Sequence, residues 1–179
     1  VPIAVDHSRR FDPTVQEAIR VLRSGQYGSV ISASAVYGQG VLHGGTHIID
    51  LARAFFGEVR KARRVYRSSD GRGRDKTLGA FLSLDRCEQF YLIAGDERYY
   101  HYFQFDILCA KGRIGFTNLG FTRYDEPVVQ STVFPGVPVL GSRSSSPTRF
   151  RDALLAMVDN AVSHLTLHTK LICDAEDAY

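Results

Sequence analysis

Short β-rich runs separated by Gly, Asp and Arg turns fill residues 59–124, and they restrict the chain to a sheet-based fold. The runs are residues 59–67, 77–84, 88–94, 99–110, 113–118 and 121–124. Within residues 99–110 one face collects His101, Phe103, Phe105, Ile107 and Cys109. An antiparallel meander with one apolar face packs helices on that face and leaves the other for water or a partner.

Helical spacing of apolar residues predicts three helices beside these strands. The first begins after Asp12-Pro13 and ends at Gly25, the second ends at Gly57, and the third covers residues 154–165. Residues 29–37 alternate as a strand, whereas residues 135–148, rich in Gly, Pro and Ser, are predicted to be a mobile surface loop. The predicted fold is α+β, an open and mostly antiparallel β-sheet with helices packed on one face.

Composition favours a single soluble globular domain. The 179 residues are 44% hydrophobic and 23% charged, and no apolar run reaches the roughly 18 residues of a membrane span, so we expect no membrane partner. Three cysteines without C-x-x-C spacing argue against a disulfide framework or a zinc site and favour a reducing, cytoplasmic location. Cys109 is expected to be a core residue.

Basic residues crowd the segment from Arg60 to Lys76, where Asp70 and Asp75 are the only acids. Such a patch can bind nucleic acid through its phosphates. Neither interleaved aromatic residues nor a recognised reading module accompanies it, and residues 70–73 are typical of a solvated hairpin tip. A nucleic-acid partner is therefore not expected.

A glycine-rich segment opens the second helix, and His47 lies in its first turn. Gly38-x-Gly40 begins like the dinucleotide fingerprint G-x-G-x-x-G, but His43 occupies the third glycine position and the loop is too long. We therefore predict no cofactor-binding residue in this chain. The positive end of a helix dipole disfavours a second proton on His47, so a neutral imidazole capable of acid/base work is expected.

Two histidine pairs at i, i+4 spacing raise the alternative of a metal site, since such pairs share one helix face. His43 precedes Gly44-Gly45, however, and no H-E-x-x-H glutamate lies between His43 and His47. The pair His164 and His168 lacks a nearby acidic or thiol ligand in the sequence. No metal site is predicted.

Three segments resemble the C-terminal domain of the Gfo/Idh/MocA oxidoreductases, the glucose-fructose oxidoreductase and inositol dehydrogenase family. Gly40, His47, Asp50, Gly57 and Glu58 fall in register with its glycine-rich helix entry. Residues 5–13 are similar to its N-x-R-R-F-x-P segment, residues 110–116 to its G-x-K-G-x-L-x turn, and residues 173–177 give a weaker match.

The resemblance implies a fragment of a longer enzyme. Residues 1–7 are expected to be a remnant strand of a nucleotide-binding domain, and residues 8–179 a C-terminal substrate-binding and oligomerisation domain truncated in its last helix. The parent would be an NAD(P)-dependent oxidoreductase acting on a sugar, inositol or related polyol. The fragment alone is expected to be inactive and to bind neither NAD nor NADP, and to form a homo-oligomer through the open sheet face.

The resemblance also implies roles for site residues. His47 would be the catalytic acid/base, assisted by a lysine outside this chain. His43 replaces an aspartate that often precedes the histidine in the family, and together with Arg10, Tyr37 and Tyr102 it is assigned to substrate binding. Which of Tyr37, Tyr102 and Gln104 points into the cleft stays open.

Two alternatives remain beside this assignment. Arg10, like its neighbour Arg9, could pair with Asp12 or Glu17 instead of a ligand. The chain as a whole could be a non-catalytic sheet module for self-association or partner binding.

Overall fold

A computed structural model describes residues 2–68 and 74–178. The helices among them are α1 (Ser8–Phe11), α2 (Pro13–Arg23), α3 (Thr46–Phe56), α4 (Ala153–Leu167) and α5 (Ala175–Ala178), with a π-helical turn at Gly40–Gly45 and a 3-10 turn at Phe150–Asp152. The strands are β1 (Val30–Tyr37), β2 (Val59–Arg67), β3 (Leu78–Leu84), β4 (Cys87–Ala94), β5 (Phe103–Cys109), β6 (Gly112–Thr117), β7 (Thr122–Gln130), β8 (Pro138–Leu140) and β9 (Ser144–Pro147).

The strands form one open sheet in the order β2-β3-β4-β1-β5-β6-β7-β8, and β9 also pairs with β7. Among the strands that the structure describes, only β1 and β4 pair in parallel, with Ala35 opposite Leu92, and the other pairings are antiparallel. A simple meander is therefore wrong at one point, because β1 lies between β4 and β5. The predicted α+β class with a mostly antiparallel sheet is confirmed.

Helices α2 and α3 cover one face of the sheet and complete the core. The apolar stripe of α3 is buried, and Phe55 and Phe56 of this helix meet Phe90 of β4 and Phe105 of β5 with ring centroids 5.4–6.2 Å apart. Helix α2 begins as predicted, because Asp12 accepts a hydrogen bond from the Thr14 N–H at 2.8 Å and caps it. This packing fixes the first turn of α3 over the end of β1.

The strand predicted at residues 99–110 begins only at Phe103. The Asp96 carboxylate accepts hydrogen bonds from the Arg98 backbone N–H at 3.2 Å and from Arg98 Nε at 2.8 Å, which closes a turn ahead of the strand. Cys109, at the end of β5, is buried as predicted. Tyr102 consequently precedes β5 instead of lying on the open face of the sheet.

The prediction of a mobile loop at residues 135–148 is wrong. This segment forms β8 and β9, which pair with β7, itself longer than the predicted residues 121–124. Backbone N–H and C=O groups that are removed from water need hydrogen-bond partners, and β8 and β9 supply these partners to β7. Side chains of β8 and β9 are exposed on both faces, so no period-two pattern marks them in the sequence.

Strand β2 occupies one edge of the sheet and carries most of the basic cluster in the open. Its residues from Arg60 to Arg67 are exposed, and Arg60 pairs with Asp85 at 2.5 Å. Charged side chains on an edge strand oppose pairing with another sheet, which gives the cluster a structural role. The predicted hairpin tip at residues 70–73 lies outside the described residues.

Segments at the two chain ends meet beside α1. Ala4 forms an isolated antiparallel bridge with Asp174, and the Val5 N–H donates to Cys173 O at 3.1 Å. Helix α4 packs against α1 through Phe11, Ala153 and Met157. No helix in the described part of the chain is long and apolar enough to cross a bilayer.

Candidate active-site cleft

A π-helical turn connects β1 to α3 and shapes the entrance of the site. Its Gly40 N–H donates to Thr77 Oγ1 at 2.9 Å, and its Leu42 N–H donates to Asp75 at 3.0 Å. Because the turn commits these N–H groups to the segment before β3, its backbone does not fit a pyrophosphate. A Cβ at Gly44 would lie 2.0 Å from Gly38 O, so only glycine allows the chain to fold back this closely.

His47 follows this turn and lines a cleft of about 220 Å³ beside the sheet. Side chains from α1, from the end of β1, from the segment before β5 and from the β6–β7 hairpin surround it. They belong to Arg9, Tyr37, Gln39, His101, Tyr102, Phe103, Leu119 and Phe121. Gln39 Nε2 lies 3.0 Å from His101 Nδ1, which links two sides of the opening. Thus His47, Tyr37 and Tyr102 of the sequence-predicted site residues share one cleft.

The His47 imidazole lies in a positively charged, partly desolvated environment. Burial and the positive charge of His7, Arg9 and His43 lower its pKa to about 4, and Asp6 acts in the opposite direction. The His7 ring stands edge-on at 5.3 Å, with the two Nδ1 atoms 3.5 Å apart. At neutral pH the ring is therefore uncharged, and its Nε2 has no hydrogen-bond partner among the described residues.

Arg9 lines the same cleft. Its guanidinium lies over the Phe103 ring at 3.6 Å from the centroid, and Nη2 donates to Leu119 O at 2.7 Å. Burial lowers the Arg9 pKa to about 10, against the opposing charge of Asp12. Leu119 (φ 58°) and Gln39 (φ 70°) are both left-handed without being glycine, so strained backbone borders this cleft on two sides.

Arg10, assigned to substrate binding, is placed outside this cleft. It is buried and pairs with Asp50 at 2.7 Å and Asp177 at 3.2 Å, and Nη1 also donates to Ile172 O at 3.0 Å. The alternative partners Asp12 and Glu17 are wrong as well, since Asp12 caps α2 and Glu17 pairs with another arginine. Arg9, its neighbour in α1, takes the place in the cleft.

Ligand atoms of His7, Asp50 and Cys173 come within 4.8 Å of one another beside this ion pair. Both Asp50 oxygens are already engaged, because Oδ2 accepts from Arg10 Nε at 3.1 Å and Oδ1 lies 2.7 Å from Arg10 Nη2. Burial raises the pKa of the Cys173 thiol to about 12, so the thiolate that binds metals is disfavoured. The cluster does not fit a cation.

The remaining predicted site residues differ in how they reach the cleft. The Tyr37 hydroxyl donates to Leu78 O at 2.9 Å and accepts from the Leu78 N–H at 3.0 Å, so it is occupied by β3 and only its ring borders the cleft. A hydrogen bond with Tyr100 raises the pKa of Tyr102 to about 12, which keeps its hydroxyl protonated. His43 is exposed in the π-helical turn and does not line the cleft.

Sequence reasoning missed His7, Gln39 and His101 as site residues. His7 and Arg9 lie inside the segment 5–13 that carries the family resemblance, so that segment contained a usable signal. Gln39 and His101 approach each other across 62 positions of sequence. Only the pairing of β1 with β5 brings them together, and no local pattern predicts it.

Solved structures share this fold. UDP-N-acetylglucosamine 3-dehydrogenase GnnA from Acidithiobacillus ferrooxidans superimposes with a TM-score of 0.75 at 19% identity, covering 99% of this chain and 58% of that protein. An oxidoreductase from Agrobacterium radiobacter in complex with NAD⁺, L-tartaric acid and magnesium superimposes with a TM-score of 0.70 at 16% identity. The match covers 99% of this chain and 59% of that protein. A levoglucosan dehydrogenase in complex with NADH and levoglucosan superimposes with a TM-score of 0.59 at 18% identity. The match covers 77% of this chain and 47% of that protein.

These neighbours are Gfo/Idh/MocA-type oxidoreductases, so the resemblance is confirmed at the level of the fold. The chain spans less than two thirds of their length. No family model and no curated protein matches the chain.

We predict that His47 makes stability depend on pH. The ring titrates near 6.5 when unfolded and near 4 when folded, so its contribution is fully present above pH 6.5 and lost as pH falls towards 4. Between pH 7 and 4 wild type should lose on the order of 1–2 kcal/mol more than His47→Gln, allowing for solvent screening of a half-exposed ring. Urea unfolding at several pH values in this range measures the free energy of unfolding of both proteins.

The matched control for this experiment is His168→Asn, at the exposed end of α4. It should keep the wild-type pH dependence. Equal pH dependence in wild type and His47→Gln would contradict the assignment of a depressed His47 pKa.

Proposed function

We propose that this chain is the substrate-binding domain of an NAD(P)-dependent oxidoreductase that oxidises or reduces a carbinol carbon of a sugar, inositol or related polyol. The observation that carries the proposal is His47, a neutral imidazole in the first turn of α3 that lines a cleft together with Arg9, Gln39 and Tyr102. The fold likeness to dehydrogenases supports the reaction class, since the cleft belongs to the part of the fold that is shared.

In this proposal His47 handles the proton of the reaction. Oxidation of a carbinol breaks the C–H bond with loss of hydride and the O–H bond with loss of a proton, and His47 Nε2 accepts that proton. The amide of Gln39 and the hydroxyl of Tyr102 offer hydrogen bonds to further hydroxyl groups of the substrate. The nicotinamide supplies the hydride acceptor, and we expect it on a part of the parent protein outside this chain.

The test uses the longer protein that contains this chain, assayed with NAD⁺ and NADP⁺ against a panel of sugars and polyols. His47→Ala should lower kcat by about 10²–10⁴ with a smaller change in KM, because proton transfer acts chiefly in the transition state. His168→Asn, remote on α4, should leave both constants unchanged. Oxidation that survives His47→Ala, or no oxidation of any member of the panel, would contradict the proposal.

We also propose that the open face of the sheet is a homo-oligomer interface. Phe90 and Leu92 are buried under the helices, so the alternating Tyr91 and Ile93 project from the opposite face and are 45% and 46% exposed. An apolar patch of this kind suits a symmetric contact between two copies, which would bury on the order of 1,000 Å² or more in total.

Sedimentation at micromolar concentration tests this interface. Tyr91→Lys places equal charges opposite each other across a two-fold contact and should shift the protein to monomer, whereas Tyr99→Lys, 77% exposed outside the strands, should not. A monomeric wild type would rule out the interface, as would a dimer that survives Tyr91→Lys.

A further inference from the structure

The cleft around His47 has an uneven distribution of charge. Its lining residues include the guanidinium of Arg9 and the imidazoles of His47 and His101, and no carboxylate is among those that the structure describes. The acids that act on these groups from outside the lining are Asp6, which raises the pKa of His47, and Asp12, which opposes the lowering of the Arg9 pKa while its side chain caps α2. A positive charge in a half-enclosed cleft without a protein counterion attracts an anion.

Arg9 is the centre of this charge, and most of its donors lack an acceptor. Of the five N–H groups of the guanidinium, one donates to a described acceptor, Leu119 O at 2.7 Å. Nε is buried without a partner, and within the described part of the chain Arg9 forms no ion pair. Nη1 also has no described acceptor, and a charged donor without a partner is stabilised when an oxyanion accepts its hydrogen bonds.

The position of the guanidinium is fixed before any ligand arrives. Stacking on Phe103 at 3.6 Å holds its plane, and the left-handed residues Leu119 and Gly120 wrap the hairpin closely around it. A planar group held this way presents paired N–H donors that match carboxylate and phosphate oxygens. Lysine, a flexible point charge, would not reproduce this geometry.

We propose that the substrate of this cleft is an anionic sugar or polyol whose carboxylate or phosphate group pairs with Arg9 while a carbinol faces His47. The inference rests on the proposed function and narrows its substrate class. It also assigns Arg9 as a specificity-determining residue.

Anion binding at Arg9 has a consequence for the acid/base. In the absence of a ligand His47 is a weak base, because its burial and the charges of His7, Arg9 and His43 oppose its protonation, whereas Asp6 favours it. A substrate anion neutralises Arg9 and brings negative charge to the ring, and both effects raise the pKa of His47 towards the range in which a general base works best. The substrate thereby activates the group that accepts its proton.

The test titrates this chain with three ligands that share one sugar ring: glucose, glucuronate and glucose 6-phosphate. Histidine-selective NMR, with the His47 signal assigned by its loss in His47→Ala, gives both Kd and the pKa of the ring. Glucuronate or glucose 6-phosphate should bind about tenfold or more tightly than glucose and raise the His47 pKa. Whichever of the two binds more tightly identifies the carboxylate or the phosphate as the partner.

Variants at Arg9 separate specific pairing from general attraction. Arg9→Gln should bring the Kd of the anionic sugars to within about threefold of that of glucose, and Arg9→Lys should restore part of the difference. Arg20→Gln, which removes an exposed arginine on α2, should leave every Kd unchanged. Acetate and inorganic phosphate, used alone, should bind more weakly than the matching sugars.

Four results would overturn the inference. If glucose binds as tightly as the anionic sugars, the inference is wrong and the proposed function is unaffected. The same holds if the preference for anions persists in Arg9→Gln. Inorganic phosphate binding as tightly as glucose 6-phosphate would reduce the site to an anion pocket with no role for the sugar. Absence of binding by all three sugars would contradict the inference and the proposed function together.

Discussion

The buried ion pair between Arg10 and Asp50 determines where the parts of the cleft lie. It joins α1 to α3, and Asp177 and the carbonyl of Ile172 attach the C-terminal segment to the same guanidinium. Removing one partner of such a pair costs about 3–5 kcal/mol because the other charge is left buried. Arg9 directly precedes Arg10 in α1, and His47 lies one turn before Asp50 in α3. The pair that holds the two helices together therefore also brings a cation and an imidazole to one cleft.

From that placement the electrostatics of the cleft follow. Burial of the His47 ring lowers its pKa first. Arg9 and His7 from the segment around α1, and His43 from the π-helical turn, add positive charge that lowers it further. Arg9 is not needed to anchor α1, because Arg10 does so through its ion pairs with Asp50 and Asp177. The positive charge of Arg9 can therefore remain in the cleft. One arginine of the pair is structural, and the other is left without an acidic partner among the described residues. An arginine without an acidic partner in the cleft supports the proposal that the cleft binds a negatively charged ligand.

Much of the fold was predictable, because alternating strands and apolar helix stripes are local patterns. Residues 59–67 became β2, and the helix predicted after Asp12-Pro13 became α2 (Pro13–Arg23). The insertion of β1 between β4 and β5 was not predictable, since strand order depends on contacts distant in sequence. In the site, His47 lies in the first turn of α3 as predicted and lines the cleft, while its catalytic role stays a prediction. The sequence analysis assigned Arg10 to the site, whereas the structure places Arg9 in the cleft and Arg10 in the buried ion pair. A helix of four residues is too short for periodicity to show which of two adjacent residues is buried.

The most direct test of this account is the His47 pKa in Asp50→Asn, measured by histidine-selective NMR with far-UV circular dichroism to confirm the fold. Loss of the carboxylate weakens the link between α1 and α3, so Arg9 and His7 should withdraw from the ring and water should reach it. The account predicts that the pKa rises from about 4 towards the ordinary value of 6.5 in a protein that remains folded. A folded Asp50→Asn protein whose His47 still titrates near 4 would contradict the claim that this ion pair assembles the cleft.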